Sequence, residues 1–208
     1  MTPIAHFDDV WHRCVHLTAV QGFVASNATQ ALNADELLRA EWVARISALD
    51  LYVHELVCQG MVDVFEGRRS PTPQYQTFQI SNDTVERIRK ASTQLDRTAA
   101  FDLEIRTKLS SITYQQPESI ADGVRLFSTV ELWNEVAVAL GATPAAKNTN
   151  AKALKRDLAR LVERRNKIAH EGDLQPSAPR QPWPISQADL RIVTQTIESI
   201  VRAIDSVV

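Results

Sequence analysis

Leu154–Asp173 reads LKRDLARLVERRNKIAHEGD. On a helical wheel of about 100° per residue, Leu158, Leu161, Val162, Ile168 and Ala169 gather on one side within about 120°. The spacing therefore predicts a helix from about Thr149 to Ala169, with Gly172 as its stop. Arg165 is out of place on that wheel. It falls near the middle of the apolar stripe, whereas Arg164 lies at its edge and Lys167 on the polar side. A guanidinium in such a position needs an anion or an interface to face.

The same helix concentrates charge. Between Ala151 and His170 there are seven Lys or Arg (Lys152, Lys155, Arg156, Arg160, Arg164, Arg165, Lys167) against Asp157 and Glu163, while the whole chain carries a net −2. An anionic partner is expected to meet the protein here. The plainer reading is a solvated helix face, enriched in cations toward the end that the dipole favours.

Working outward, the pattern is helical throughout. A first helix spans about His6–Phe23, and a second, capped by Asn33 or Asp35, runs from about Ala34 to Phe65 on Leu38, Trp42, Ile46, Leu49, Val53 and Leu56. Residues 68–80 hold Pro71 and Pro73 and are expected as a loop. Ser81, Asn82 or Asp83 caps a short helix, and another covers Asp96–Ile112. Pro117 opens a helix with Val124, Phe127, Val130, Trp133, Val136 and Leu140 on one stripe, ended by Gly141. After the basic helix, residues 173–185 carry four prolines and form an extended loop, and Ser186 caps a last helix. The expected fold is an all-α helical bundle in one domain, residues 1–208, with 68–112 as an appended helical subregion. The basic helix and the last helix are expected to pack as a pair.

Six glycines among 208 residues argue against a sandwich or barrel. Cys14 and Cys58 are isolated and read as reduced, buried thiols. No signal peptide or membrane span is read in the sequence, so a cytoplasmic location is expected. His12 and His16 stand four apart with no third ligand at a recognisable spacing, and His54-Glu55 has no HExxH partner. No metal or cofactor is expected. Trp42 and Trp133 belong to apolar stripes, whereas Trp183 in the proline-rich loop either pins that loop or stacks on a base.

Arg165, Asn166 and His170 then form the one constellation with readable chemistry. Asn166 and His170 are four apart and share a flank. Arg165 and His170 lie about 140° apart, so they converge only if the helix unwinds near His170 or a second copy of the chain completes the site. A purely structural reading stands beside this one: Arg165 paired with an interior carboxylate, and His170 capping its helix end.

An Arg followed by a polar residue and, five positions after the Arg, by a His, near the end of a late helix in an all-α protein, resembles the HEPN superfamily. The match is carried by Arg165, Asn166 and His170 within RRNKIAHEGD. The Trp-containing helix around Glu41–Leu56 is similar to the RiboL-PSP branch. The resemblance implies a small helical homodimer and a metal-independent endoribonuclease of a toxin–antitoxin or anti-phage defence system. RNA would be its substrate, and an antitoxin or another defence protein its partner. It implies Arg165, Asn166 and His170 as catalytic residues; the basic face adds Arg160, Arg164 and Lys167 as RNA contacts. Some members of the superfamily have lost catalysis, and a binding module for RNA or protein is the alternative.

Overall fold

The computed structural model describes residues 1–27 and 32–208. Among them the regular structure is α-helical, and the β pairing is confined to one bridge between Leu174 and Pro182. Helix α1 (Pro3–Asn27) lies along α2 (Asp35–Phe65). It is longer than its apolar pattern suggested, and its buried face is set by Phe7, Trp11 and Cys14, with Phe23 exposed. Phe7 stacks on Trp11 at 4.8 Å and meets Tyr52 edge-on at 6.0 Å.

α2 is the axis of the molecule. Its buried residues face in every direction, as only a helix surrounded by others can sustain. Three of them are charged. Arg45 binds Glu41 at 2.7 Å and covers the Trp11 ring at 4.2 Å, and Thr18 donates to Glu41 at 2.6 Å. Buried charge is tolerated here because each group is paired and hydrogen-bonded.

The expected loop at 68–80 contains a short helix, α3 (Pro73–Gln76). Thr72 caps it by accepting the Tyr75 N–H at 3.0 Å, and Pro73 occupies the first turn, where its missing N–H costs nothing. Helix α4 (Asn82–Lys90) starts from a Ser81 cap, and α5 (Gln94–Leu109) from Thr93. α5 docks on α2 through the stacked Phe65 and Phe101, 4.4 Å apart, and through Arg106, whose two terminal nitrogens donate to Glu55 at 2.7 and 2.9 Å.

The single helix expected after Pro117 is two: α6 (Pro117–Arg125) and α7 (Leu132–Ala139). The chain leaves helical geometry so that Phe127 can reach the notch at Gly60 of α2; a Cβ built on Gly60 would lie 2.3 Å from the Phe127 ring. The Trp133 indole N–H then closes back on the Pro117 carbonyl at 2.9 Å.

Helix α8 (Lys147–Glu171) carries the basic segment and starts two residues earlier than its pattern suggested. Helix α9 (Gln187–Val207) opens with a reciprocal cap between Ser186 and Asp189. The two do not form the expected pair. α7 lies between them, so α8 packs on α7 and α2, and α9 on α2 and α7. The apolar stripes of α8 and α9 each meet the middle of the bundle, and the two helices touch one another only slightly. No helix among the described residues is long and apolar enough to cross a membrane.

Candidate active site

The last three turns of α8 hold the charged motif against α2. Leu158 and Val162 are buried, and the Leu161 carbonyl accepts the Trp42 indole N–H at 3.1 Å. That contact fixes the rotation of α8, and with it the direction of every side chain in RRNKIAH.

Adjacent arginines have opposite fates. Arg164 is committed within its own chain: Nη2 donates to Asp173 Oδ2 at 3.2 Å and to the Pro184 carbonyl at 2.7 Å, and the guanidinium lies 5.1 Å from the Trp42 ring centre. The side chain expected as an RNA contact thus clamps the end of its own helix to the proline-rich loop while still lining the cleft on the outer face. Arg165 is half-buried on the other side of the helix. Its Nη1 donates to Asn166 Oδ1 at 3.0 Å, its Nε is buried without a partner, and among the described residues no carboxylate lies within ion-pair distance of it. The interior carboxylate that a structural role would require is therefore missing among the described residues.

Asn166 is half-buried and His170 is exposed. α8 stays helical through Glu171, so the unwinding that would join Arg165 to His170 within one chain does not occur, and the two project about 140° apart. Arg160 and Lys167 lie on the outer face. Arg160 stands 3.7 Å from Asp157, and Lys167 bonds Glu163 at 2.9 Å, which raises the lysine pKa.

The helix ends on two successive left-handed residues, Gly172 (φ 65°) and Asp173 (φ 56°). Glycine takes this conformation freely and aspartate at modest cost, and both N–H groups return to the Lys167 carbonyl. The turn delivers Asp173 into the interior, where its side chain is 1% exposed and its Oδ2 accepts from Arg39 Nε (3.1 Å) as well as Arg164. Arg39 also donates to the Trp183 carbonyl at 2.7 Å, and the Trp183 N–H donates to the Asp173 carbonyl at 2.7 Å. The proline-rich loop is thus strapped to the end of α8 by its backbone. Trp183 is held by its main chain, and the residue is 44% exposed.

Sequence reasoning passed over Arg39 and Asp173. The available signal was slight: an aspartate directly after the helix-stopping glycine, and an arginine three residues before Trp42 on a helix whose other residues near it are mostly buried.

An all-α bundle whose late helix ends in Arg165, Asn166 and His170 defines a domain of the HEPN class. The family model described as RiboL-PSP-HEPN matches residues 17–208, and the chain belongs to that family. No curated protein and no solved structure matches it.

Proposed function

We propose that the protein is a metal-independent endoribonuclease that works as a homodimer on single-stranded or loop RNA. Its setting would be a cytoplasmic toxin–antitoxin or anti-phage defence system with an antitoxin or another defence protein as partner. The observation that carries this reading is Arg165: a half-buried cation on the apolar side of α8 with no carboxylate of its own among the described residues. Placed near a two-fold axis, α8 and its symmetry mate bring Arg165 of one copy toward His170 of the other, which one regular helix cannot do.

RNA carries its own nucleophile. The 2′-hydroxyl loses its proton and its oxygen bonds to the adjacent phosphorus. The bond from phosphorus to the 5′-oxygen then breaks, and that oxygen takes up a proton, leaving a 2′,3′-cyclic phosphate and a free 5′-hydroxyl. His170 is exposed and suits the proton transfers, since its imidazole has nitrogens that can accept and donate a proton. Two copies supply one group to take a proton and one to give it. Arg165 suits bidentate contact with the charged phosphorane oxygens, and Asn166 holds its guanidinium through the 3.0 Å bond. Arg160 and Lys167 attract the strand from the outer face.

The test is cleavage of a labelled single-stranded RNA in EDTA by wild type and His170→Ala. Expected are metal-independent cleavage to cyclic-phosphate ends, loss of activity in His170→Ala without loss of fold, and no rescue by Arg165→Lys. Wild-type cleavage by His170→Ala, or products with 5′-phosphates, would overturn the assignment in favour of a non-catalytic binding module.

A further inference from the structure

We propose that the cleft between Trp183 and the outer face of α8 is a nucleobase subsite. It takes one unpaired base of the RNA while the flanking phosphates lie along Arg160 and Lys167. The proposal rests on the ribonuclease reading and specifies what the same helix holds beside the cleavage site.

The cleft has a volume of about 200 Å³ and is lined by Arg160, Glu163, Arg164, Lys167, Asp173 and Trp183. Its four α8 residues are spaced by three and four, so they form one face, and Lys167 lies one turn before His170. The space is smaller than the roughly 300–1,000 Å³ typical of sites for drug-sized ligands. It suits a single planar ring system and not a whole dinucleotide cofactor.

Three independent features make it a site for a base. First, Trp183 is the one exposed tryptophan; Trp11, Trp42 and Trp133 are buried. Its exposure is not looseness, because the backbone is held on both sides by Asp173 and Arg39 and flanked by Pro182 and Pro184. A rigidly presented aromatic face loses little freedom on stacking, and every base has a π-face to stack on it. Second, two of the lining residues carry a buried polar atom without a partner, Oδ1 of Asp173 and Nε of Arg164, and the two residues are joined through Oδ2. Such orphaned groups are few in a folded protein. The Asp173 carboxylate in the lining would repel a phosphate there and tolerates the hydrogen-bond donors of a base edge. Third, the rim cations are loosely held. Arg160 and Lys167 meet only the exposed carboxylates of Asp157 and Glu163, contacts weak enough to exchange for phosphate oxygens.

The probe is a fluorescein-labelled single-stranded RNA of about 12 nucleotides, within the site size of one such groove. All its sugars are 2′-O-methylated, so the full-length wild-type protein cannot cut it through the 2′-hydroxyl. Binding is read by anisotropy and, in parallel, by quenching of tryptophan emission. Trp183→Ala is expected to weaken binding roughly 5- to 150-fold and to abolish the quenching, while Trp183→Phe keeps most of the affinity. An oligomer carrying abasic sites should bind wild type more weakly and Trp183→Ala no more weakly than the intact strand does. Circular dichroism melts check that the variants stay folded, which the backbone anchoring of Trp183 favours. Equal binding by wild type and Trp183→Ala overturns the subsite and leaves the ribonuclease reading standing. Failure of the wild type both to bind this probe and to cleave unmodified RNA overturns the ribonuclease reading and the subsite together.

Discussion

Arg39 and Asp173 lie 134 positions apart in the chain and meet in the interior, Nε to Oδ2, at 3.1 Å. Arg164 reaches the same oxygen from α8, so one carboxylate ties α2, the end of the motif helix and the proline-rich loop together. Removing the shared anion leaves Arg164 without a carboxylate among the described residues and Arg39 with only the exposed Glu36, 3.0 Å away. Asp173→Ala is expected to cost about 3 kcal/mol, as breaking a buried ion pair does. The loss should appear in urea denaturation, with faster proteolysis within residues 174–182. An unchanged midpoint would show that the cluster contributes orientation but no stability.

Arg165 sets an expectation for assembly. If a second copy of the chain covers it, light scattering at tens of micromolar (an order of magnitude) finds a dimer, and Arg165→Glu shifts the protein to monomer, because a carboxylate in place of the guanidinium is costly to desolvate at an apolar interface. A wild-type monomer at that concentration would leave the two halves of the motif unjoined and count against the catalytic proposal.

Acid stability should carry the mark of Glu55. The two hydrogen bonds from Arg106 hold this carboxyl below the usual carboxylate range, with burial opposing the shift. A carboxyl whose pKa is lower folded than unfolded contributes fully above the unfolded value of about 4.3, and that contribution disappears as pH falls through the folded value. Between neutral pH and about pH 3, wild type should therefore lose more stability than Glu55→Gln, in which the titrating group is gone. Parallel pH profiles for the two proteins would remove Glu55 from the acid response.

Gly60 is fixed by contact, not by backbone conformation. A methyl group there would overlap the Phe127 ring, which is 2% exposed and has no free space to enter. Gly60→Ala raises helix propensity by up to about 1 kcal/mol, yet overpacking costs about 1–3 kcal/mol, so the thermal midpoint should fall by several degrees. A rise would mean that Phe127 moves aside cheaply and that the break between α6 and α7 has another cause.

Burial should also silence both thiols. Desolvation pushes Cys58 up to about 11 and raises Cys14 above its ordinary value, so at pH 8 almost no thiolate forms at either. Iodoacetamide is expected to label neither in the native protein and both in urea. Rapid native labelling of either cysteine would place that thiol in contact with solvent.

Helical periodicity, polar caps and the glycine stop are local properties, and they sufficed to predict an all-α chain, the extent of α2, a helix start at one of Ser81, Asn82 or Asp83, the Ser186 start and the end of α8. The Arg165, Asn166 and His170 constellation was legible for the same reason, since its members share one helix and their angles follow from 3.6 residues per turn. What one wheel cannot contain came from the tertiary structure. The break at Phe127 depends on a glycine 67 positions earlier in the chain, and the seat of α7 between α8 and α9 depends on how three apolar stripes share one core. The two arginines at 164 and 165 are identical as letters, and only packing separates them. The Trp42–Leu161 contact sets the rotation of α8, which turns one guanidinium onto Asp173 and leaves the other without a carboxylate among the described residues. Pairing across 134 residues has no periodic trace in a single sequence, because loop closure brings such groups together through the whole fold.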